Sequence, residues 1–156
     1  MNIPMKDSKG QHHPAKPAIN AATAGNLDVG YRLTVSKTLS ENDIELFSKV
    51  TGDANPLHLD EAFAQKTIFK GRIAHGMLTA GLISAALSKL PGIVVYISQD
   101  IHFLKPVRIG QTIQAAVQVI ERIEDRSEYR LKTTCTDSEG RVVVDGEAKI
   151  RILKME

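Results

Sequence analysis

Apolar and polar residues begin to alternate near Tyr31, where Leu33 and Val35 are each flanked by polar residues. A period of two is typical of a β-strand with one buried face. Ser40 follows as a good N-cap, and apolar residues then recur at helical spacing. We expect this helix to end near Gly52, because glycine suits the residue that closes a helix.

The next segment predicts a turn, a short helix and a longer helix. Asp, Asn and Pro favour a turn over 53–56, and a short helix is expected over 60–65. Residues 77–90 are small or apolar on every helical face until Lys89. A helix of this composition is expected to be buried all round.

Beyond this helix the pattern changes to strands. Alternating and β-branched residues predict four of them, over residues 93–103, 113–120, 129–136 and 142–152. The sequence Asp-Ser-Glu-Gly at 137–140 favours a hairpin between the last two, and 121–127 favours another. The chain is therefore predicted to be an α+β domain, with one buried helix packed against a curved antiparallel sheet.

The N-terminal segment differs from the rest of the chain. Residues 1–26 are rich in Pro, Ala, Asn and Gly and show no apolar period, so we expect a flexible tail before a domain at 27–156. His12 and His13 lie in this tail without further ligands at metal-site spacing. They are interpreted as solvated residues.

Composition limits the partners of the protein. With 156 residues, one core is expected. A formal charge of +2 is too small for a nucleic-acid footprint, and the longest run nearly free of charge, 73–88, is too short to span a membrane. Cys135 is the only cysteine, which excludes an intrachain disulfide and fits a reducing compartment. We expect no nucleic-acid or membrane partner and a cytoplasmic location.

The candidate chemistry lies in the turn at Asp53-Ala54-Asn55-Pro56-Leu57-His58. The spacing places a carboxylate and an imidazole on opposite sides of a proline-stiffened turn, where both could reach one water molecule. Taken alone, Asp and Asn before Pro are common turn formers. The surrounding sequence decides between the two interpretations.

That surrounding sequence resembles the MaoC-like dehydratases, in particular the (R)-specific enoyl-CoA hydratases. The resemblance rests on FSKVTGDANPLHLDEAFA at 47–64, IAHGML at 73–78 and Ser84. It implies a hot-dog fold, in which an antiparallel sheet wraps a long helix, and a homodimer. It also implies that Asp53 and His58 bind the catalytic water, that Gly76 offers a backbone amide and that Ser84 supports the site.

The implied reaction is the reversible hydration of a trans-2-enoyl-CoA to the (R)-3-hydroxyacyl-CoA. Such a reaction needs a base for water, a stabiliser for the thioester oxygen and a proton donor for the α-carbon. We expect Asp53 and His58 to handle the protons, in an order that the sequence leaves open, and Gly76 to serve as oxyanion hole. Asn55 is interpreted as holding the turn, and His75 as supporting the Gly76 loop. No metal or other cofactor is expected.

Three alternatives remain open from the sequence. The first is a dehydratase of 3-hydroxyacyl thioesters on acyl carrier protein, which would use the same residues. The second is a hot-dog protein that binds acyl thioesters without turnover, and the third is a thioesterase. Cations that could meet coenzyme A phosphates or an acidic carrier protein are Lys66, Lys70, Arg72, Lys105 and Arg108.

Overall fold

The computed structural model describes residues 27–123 and 126–153. The predicted tail at 1–26 lies outside these residues. The elements in chain order are β1 (Arg32–Thr38), α1 (Glu41–Thr51), α2 (Pro56–Leu59), α3 (Glu61–Ala64), α4 (Gly76–Leu87), β2 (Ile93–Phe103), β3 (Thr112–Ile123), β4 (Glu128–Thr136) and β5 (Val142–Leu153).

Helix α1 begins and ends at the residues that the sequence predicts. The Ser40 hydroxyl accepts the Asp43 N–H, and the Asp43 carboxylate accepts the Ser40 N–H, which completes a capping box. At the other end Gly52 has a φ of 78°, a left-handed conformation that glycine adopts without strain. The chain therefore leaves α1 at Gly52, immediately before Asp53.

Pairing of the five strands produces one antiparallel sheet in the order β1-β3-β4-β5-β2. Helix α4 packs against its concave face, mainly against β3, β1 and β4. Fully buried side chains of the helix and the sheet, such as Ile83, Val117, Leu131 and Ile150, form the core between them. This arrangement confirms the predicted α+β hot-dog fold.

The prediction that the central helix is buried all round is wrong for this chain. Ile83 and Leu87 are buried, but Met77, Gly81 and Ser84 on the opposite face are exposed. The sheet covers only one side of α4, and the exposed residues on the other side are small except for Met77. In the described part of the chain, no helix is long and apolar enough to cross a membrane.

Candidate functional site

His58 lies on α2, a single helical turn, and its side chain is buried. Its Nδ1 is 2.8 Å from the carbonyl oxygen of Ile73, which can only accept, so Nδ1 carries a proton and donates it. In the neutral ring Nε2 then keeps its lone pair. Because His58 lines a cavity and no group among the described residues bonds its Nε2, this nitrogen is available to a bound water or substrate.

Asp53 lies in the loop between α1 and α2 and is exposed. Its Oδ1 accepts the N–H of Asn55 at 3.3 Å, and its own N–H donates to the Thr51 hydroxyl at 3.2 Å. The Asn55 side chain in turn accepts the Leu57 N–H at 3.0 Å and caps α2. These short-range bonds shape the loop that carries Asp53 and the start of α2, which carries His58, so Asn55 has a structural role.

His75 connects the Asp53 loop to the start of α4. Its Nε2 donates to the carbonyl oxygen of Asp53 at 3.1 Å, and its ring stacks on that of His58 with centroids 3.9 Å apart. Burial lowers the pKa of His75 below its ordinary value; the neighbouring His58 adds to this effect and the bond to Asp53 opposes it. His75 therefore contacts both the Asp53 loop and the His58 ring.

Gly76 is the first residue of α4, and His75 before it makes no side-chain cap. Among the described residues no protein group accepts the Gly76 N–H, which belongs to the first turn, where the helix has no acceptor for it. A Cβ built on Gly76 would lie 2.9 Å from Cε1 of Phe103. The glycine thus leaves a free amide beside the Phe103 ring, at the positive end of the helix dipole.

Ser84 lies two turns further along α4, on its exposed face. Within the described part of the chain its hydroxyl makes no hydrogen bond to the loop that carries Asp53. The structure therefore brings Asp53, His58, His75 and Gly76 together but does not place Ser84 in contact with them. A supporting role for Ser84 stays a prediction.

A cavity of about 460 Å³ joins these residues. Its lining includes Gly76 and the polar residues Asp53, His58, His75, Thr79 and Lys105, and the rest is largely apolar, with Phe69, Ile73, Met77, Phe103, Leu104, Pro106, Val107 and Val144. Volume and lining suit a small molecule with a hydrophobic end.

The cations proposed from the sequence differ in their availability. Lys105 lines the cavity, is exposed and has no ion pair among the described residues. By contrast Arg72 binds the Glu41 carboxylate, and Arg108 donates to the main-chain carbonyls of Phe69, Gly71 and Arg72. Both arginines are engaged within the fold, and of the five cations only Lys105 lines the cavity that Asp53 and His58 also line.

The oxygen and nitrogen atoms of Asp53, His58 and His75 that could bind a metal lie within 4.8 Å of one another. Each histidine already uses one nitrogen for a backbone carbonyl. The two rings are stacked and tilted by only 34°, and a ring nitrogen directs its lone pair within the ring plane. Such rings do not converge on one ion as in a tetrahedral site, so these residues fit a metal poorly.

Two parts of the site carry no signal in the sequence. The Ile73 carbonyl fixes the tautomer of His58, but every residue has a main-chain carbonyl, so the residue type at position 73 does not reveal the contact. Phe103 is recognisable only as the end of a predicted strand, and its packing on Gly76 depends on how β2 meets α4. Neither contact could be found without the tertiary structure.

Comparisons with known proteins identify the family of this chain. The family described as "MaoC like domain" matches residues 23–140. A "3-hydroxybutyryl-CoA dehydratase" of Methylorubrum extorquens is 45% identical over 90% of this chain and 90% of its own length. An "(R)-specific enoyl-CoA hydratase" of Rhodospirillum rubrum is 46% identical over 79% of this chain and 86% of its own length.

Among solved structures, an "(R)-hydratase from A. caviae involved in PHA biosynthesis" superposes with a TM-score of 0.79 at 35% identity, covering 83% of this chain and 100% of the other. The family match spans well over half of the chain, and both curated relatives are matched over most of their length. The chain therefore belongs to the MaoC-like dehydratase family.

Proposed function

We propose that the protein catalyses the reversible hydration of trans-2-enoyl-CoA to (R)-3-hydroxyacyl-CoA. The observation that carries this proposal is the largely apolar cavity in which the Asp53 carboxylate, the free Nε2 of His58 and the free N–H of Gly76 meet. The names of the relatives support the choice of a CoA thioester and of the (R) product.

Asp53 and, when its ring carries one proton, His58 both offer acceptors at the cavity, so one water can donate a hydrogen to each. As the water oxygen bonds to the β-carbon, one of the pair removes a proton and the electrons of the C=C bond move toward the thioester oxygen. The pair then returns one proton to the α-carbon, which restores the starting state of both residues. Two acid–base groups so close share protons, and such a pair contributes about a hundredfold to ten-thousandfold in rate.

The thioester oxygen gains negative charge while the enolate exists. The Gly76 N–H is free to donate to that oxygen, and the N-terminal end of α4 adds a favourable potential. His75 keeps the Asp53 loop close to this amide through its bond to the Asp53 carbonyl. Ser84, Asn55 and His75 are assigned supporting roles, and no metal or other cofactor takes part.

The apolar part of the cavity is suited to the acyl chain of the substrate. Lys105, at the cavity and without an ion pair among the described residues, is suited to a phosphate of the coenzyme. An acidic carrier protein could bind the same cation. Whether the acyl chain is carried by coenzyme A or by a carrier protein therefore has to be tested directly.

A homodimer is part of the proposal. Strand β2 is an edge of the sheet, and Ile93, Val95 and Ile97 on it are each more than 40% exposed. Exposed apolar edges favour pairing with a second chain, and closed pairs are the commonest oligomers. Light scattering of the purified protein should give twice the mass of one chain.

The test is the loss of the enoyl-thioester absorbance when purified protein is mixed with crotonyl-CoA in the presence of a chelator. Asp53→Asn and His58→Ala should each lose most of the activity while keeping the fold, and the product should be the (R) enantiomer. The chelator should leave the rate unchanged.

Other outcomes identify the alternatives. Activity only on carrier-protein thioesters would identify a dehydratase of that substrate class, and release of free thiol would identify a thioesterase. Thioester binding without turnover by the folded protein would favour the non-catalytic alternative.

A further inference from the structure

We propose that Arg72 is a positioning residue for His58 and that Glu41 anchors it. Its guanidinium joins Glu41, at the N-terminal end of α1, to the main-chain carbonyl of His58 on α2. This inference rests on the proposed function, because it assigns Arg72 a part in setting the rate of the same reaction.

The need for such a support follows from the size of α2. It has only four residues, and a helix of one turn is not stable by itself. The position of His58 must therefore come from tertiary contacts. The structure provides two of them from neighbouring residues: the Arg72 Nε donates to the His58 carbonyl oxygen at 2.7 Å, and the Ile73 carbonyl accepts from the His58 ring at 2.8 Å.

Arg72 is itself held in one orientation. Its two terminal nitrogens bond the two oxygens of Glu41 at 3.2 and 2.7 Å, a paired geometry that a planar guanidinium forms well. Its side chain is only 18% exposed, and its own N–H donates to the Glu61 carboxylate. Glu41 is the first residue of α1, where a negative charge is favourable.

The loop that carries Arg72 is also fixed to the sheet side of the domain. Arg108 donates to the main-chain carbonyls of Gly71 and Arg72, and Ile73 forms an isolated bridge with Arg108. Movement of the loop is therefore restrained independently of Glu41. Loss of the hydrogen bonds from the Arg72 guanidinium to Glu41 and to the His58 carbonyl should free the main chain of α2 to move without unfolding the loop.

Lysine at position 72 separates charge from geometry. Lysine keeps the positive charge but has a single terminal nitrogen in place of the planar guanidinium. It therefore cannot bond both carboxylate oxygens of Glu41 and the His58 carbonyl oxygen in the geometry that arginine uses. A displacement of a catalytic group by about 1 Å costs about a hundredfold in rate. We expect Arg72→Lys to lower kcat by about a hundredfold with KM nearly unchanged, and Glu41→Gln to lower it less.

The experiment compares kcat and KM on crotonyl-CoA for the wild type, Arg72→Lys, Glu41→Gln and the double variant. The matched control is Arg130→Lys, because Arg130 also bonds two carboxylates, those of Glu121 and Glu147, but lies on β4 and outside the site. The control should keep wild-type kcat. The kcat of the double variant should be no lower than that of Arg72→Lys, because both changes break the same connection from Glu41 through Arg72 to His58.

Nitrogen NMR of the histidine rings provides a readout that does not depend on turnover. In the wild type His58 should be the Nδ1–H tautomer, and Arg72→Lys should shift its signals toward a mixture of tautomers. A folded Arg72→Lys with wild-type kcat and an unchanged His58 signal would overturn the proposal, as would a loss confined to KM. If the wild type hydrates no thioester, the proposed function fails, and the NMR comparison alone decides whether Arg72 positions His58.

Discussion

Replacing Gly76 with alanine tests the assignment of the oxyanion hole most directly. The new methyl group would lie 2.9, 3.0 and 3.3 Å from three carbons of the Phe103 ring. Ordinary carbon contacts are about 3.5–4.0 Å, so the ring must withdraw by about 0.6–1 Å. Phe103 is 52% exposed and can move outward, which keeps the strain small.

The structure therefore predicts a large effect on rate and a small effect on stability. Alanine is favoured over glycine in a helix by up to about 1 kcal/mol, which partly offsets a crowding cost of about 1–3 kcal/mol. The methyl group would lie beside the free amide, to which the proposed mechanism assigns the thioester oxygen. A misplacement of about 1 Å predicts a loss of about a hundredfold in kcat/KM, equivalent to about 2.7 kcal/mol.

The assay is hydration of crotonyl-CoA by Gly76→Ala, with thermal unfolding measured on the same preparation. Gly81→Ala is the matched control, because it lies on the same helix and its Cβ would meet nothing within 4 Å. That variant should keep its activity and gain about 0.5–1 kcal/mol in stability. A folded Gly76→Ala with wild-type kcat/KM would refute the assignment of the Gly76 amide.

Three further predictions concern other parts of the chain. Burial raises the pKa of Cys135 to about 12, so a thiol reagent should react with it only after denaturant unfolds the protein. The Glu128 carboxylate bonds Lys149 and Arg151, which lowers its pKa from 4.5 to about 2. The stability that it contributes is complete above pH 4.5 and is lost as the pH falls toward 2, so Glu128→Gln should show a smaller fall in melting temperature over that range. Asn55→Ala should lose about 1 kcal/mol of stability in thermal unfolding as well as kcat, whereas Asn55→Asp, which can still cap α2, should lose little stability.

The elements of the fold were predictable because their causes are local. Ser40 and Gly52 mark the ends of α1 by side-chain capping and by a left-handed conformation, and neither depends on distant residues. Strand alternation likewise predicted β2 at its observed bounds. Helix α2 was missed and predicted as a turn, because one turn begun by Pro56 has too few residues to show a helical period.

For the site, the sequence by itself determined which groups are present: the Asp53 and His58 pair, the glycine that opens α4 and the family to which they point. Only the tertiary structure decided how they are held. The tautomer of His58, the lowered pKa of His75 and the packing of Phe103 on Gly76 depend on residues far apart in the chain. The exposed face of α4 also appeared only there, since composition records how apolar a helix is but not how many of its sides another element covers.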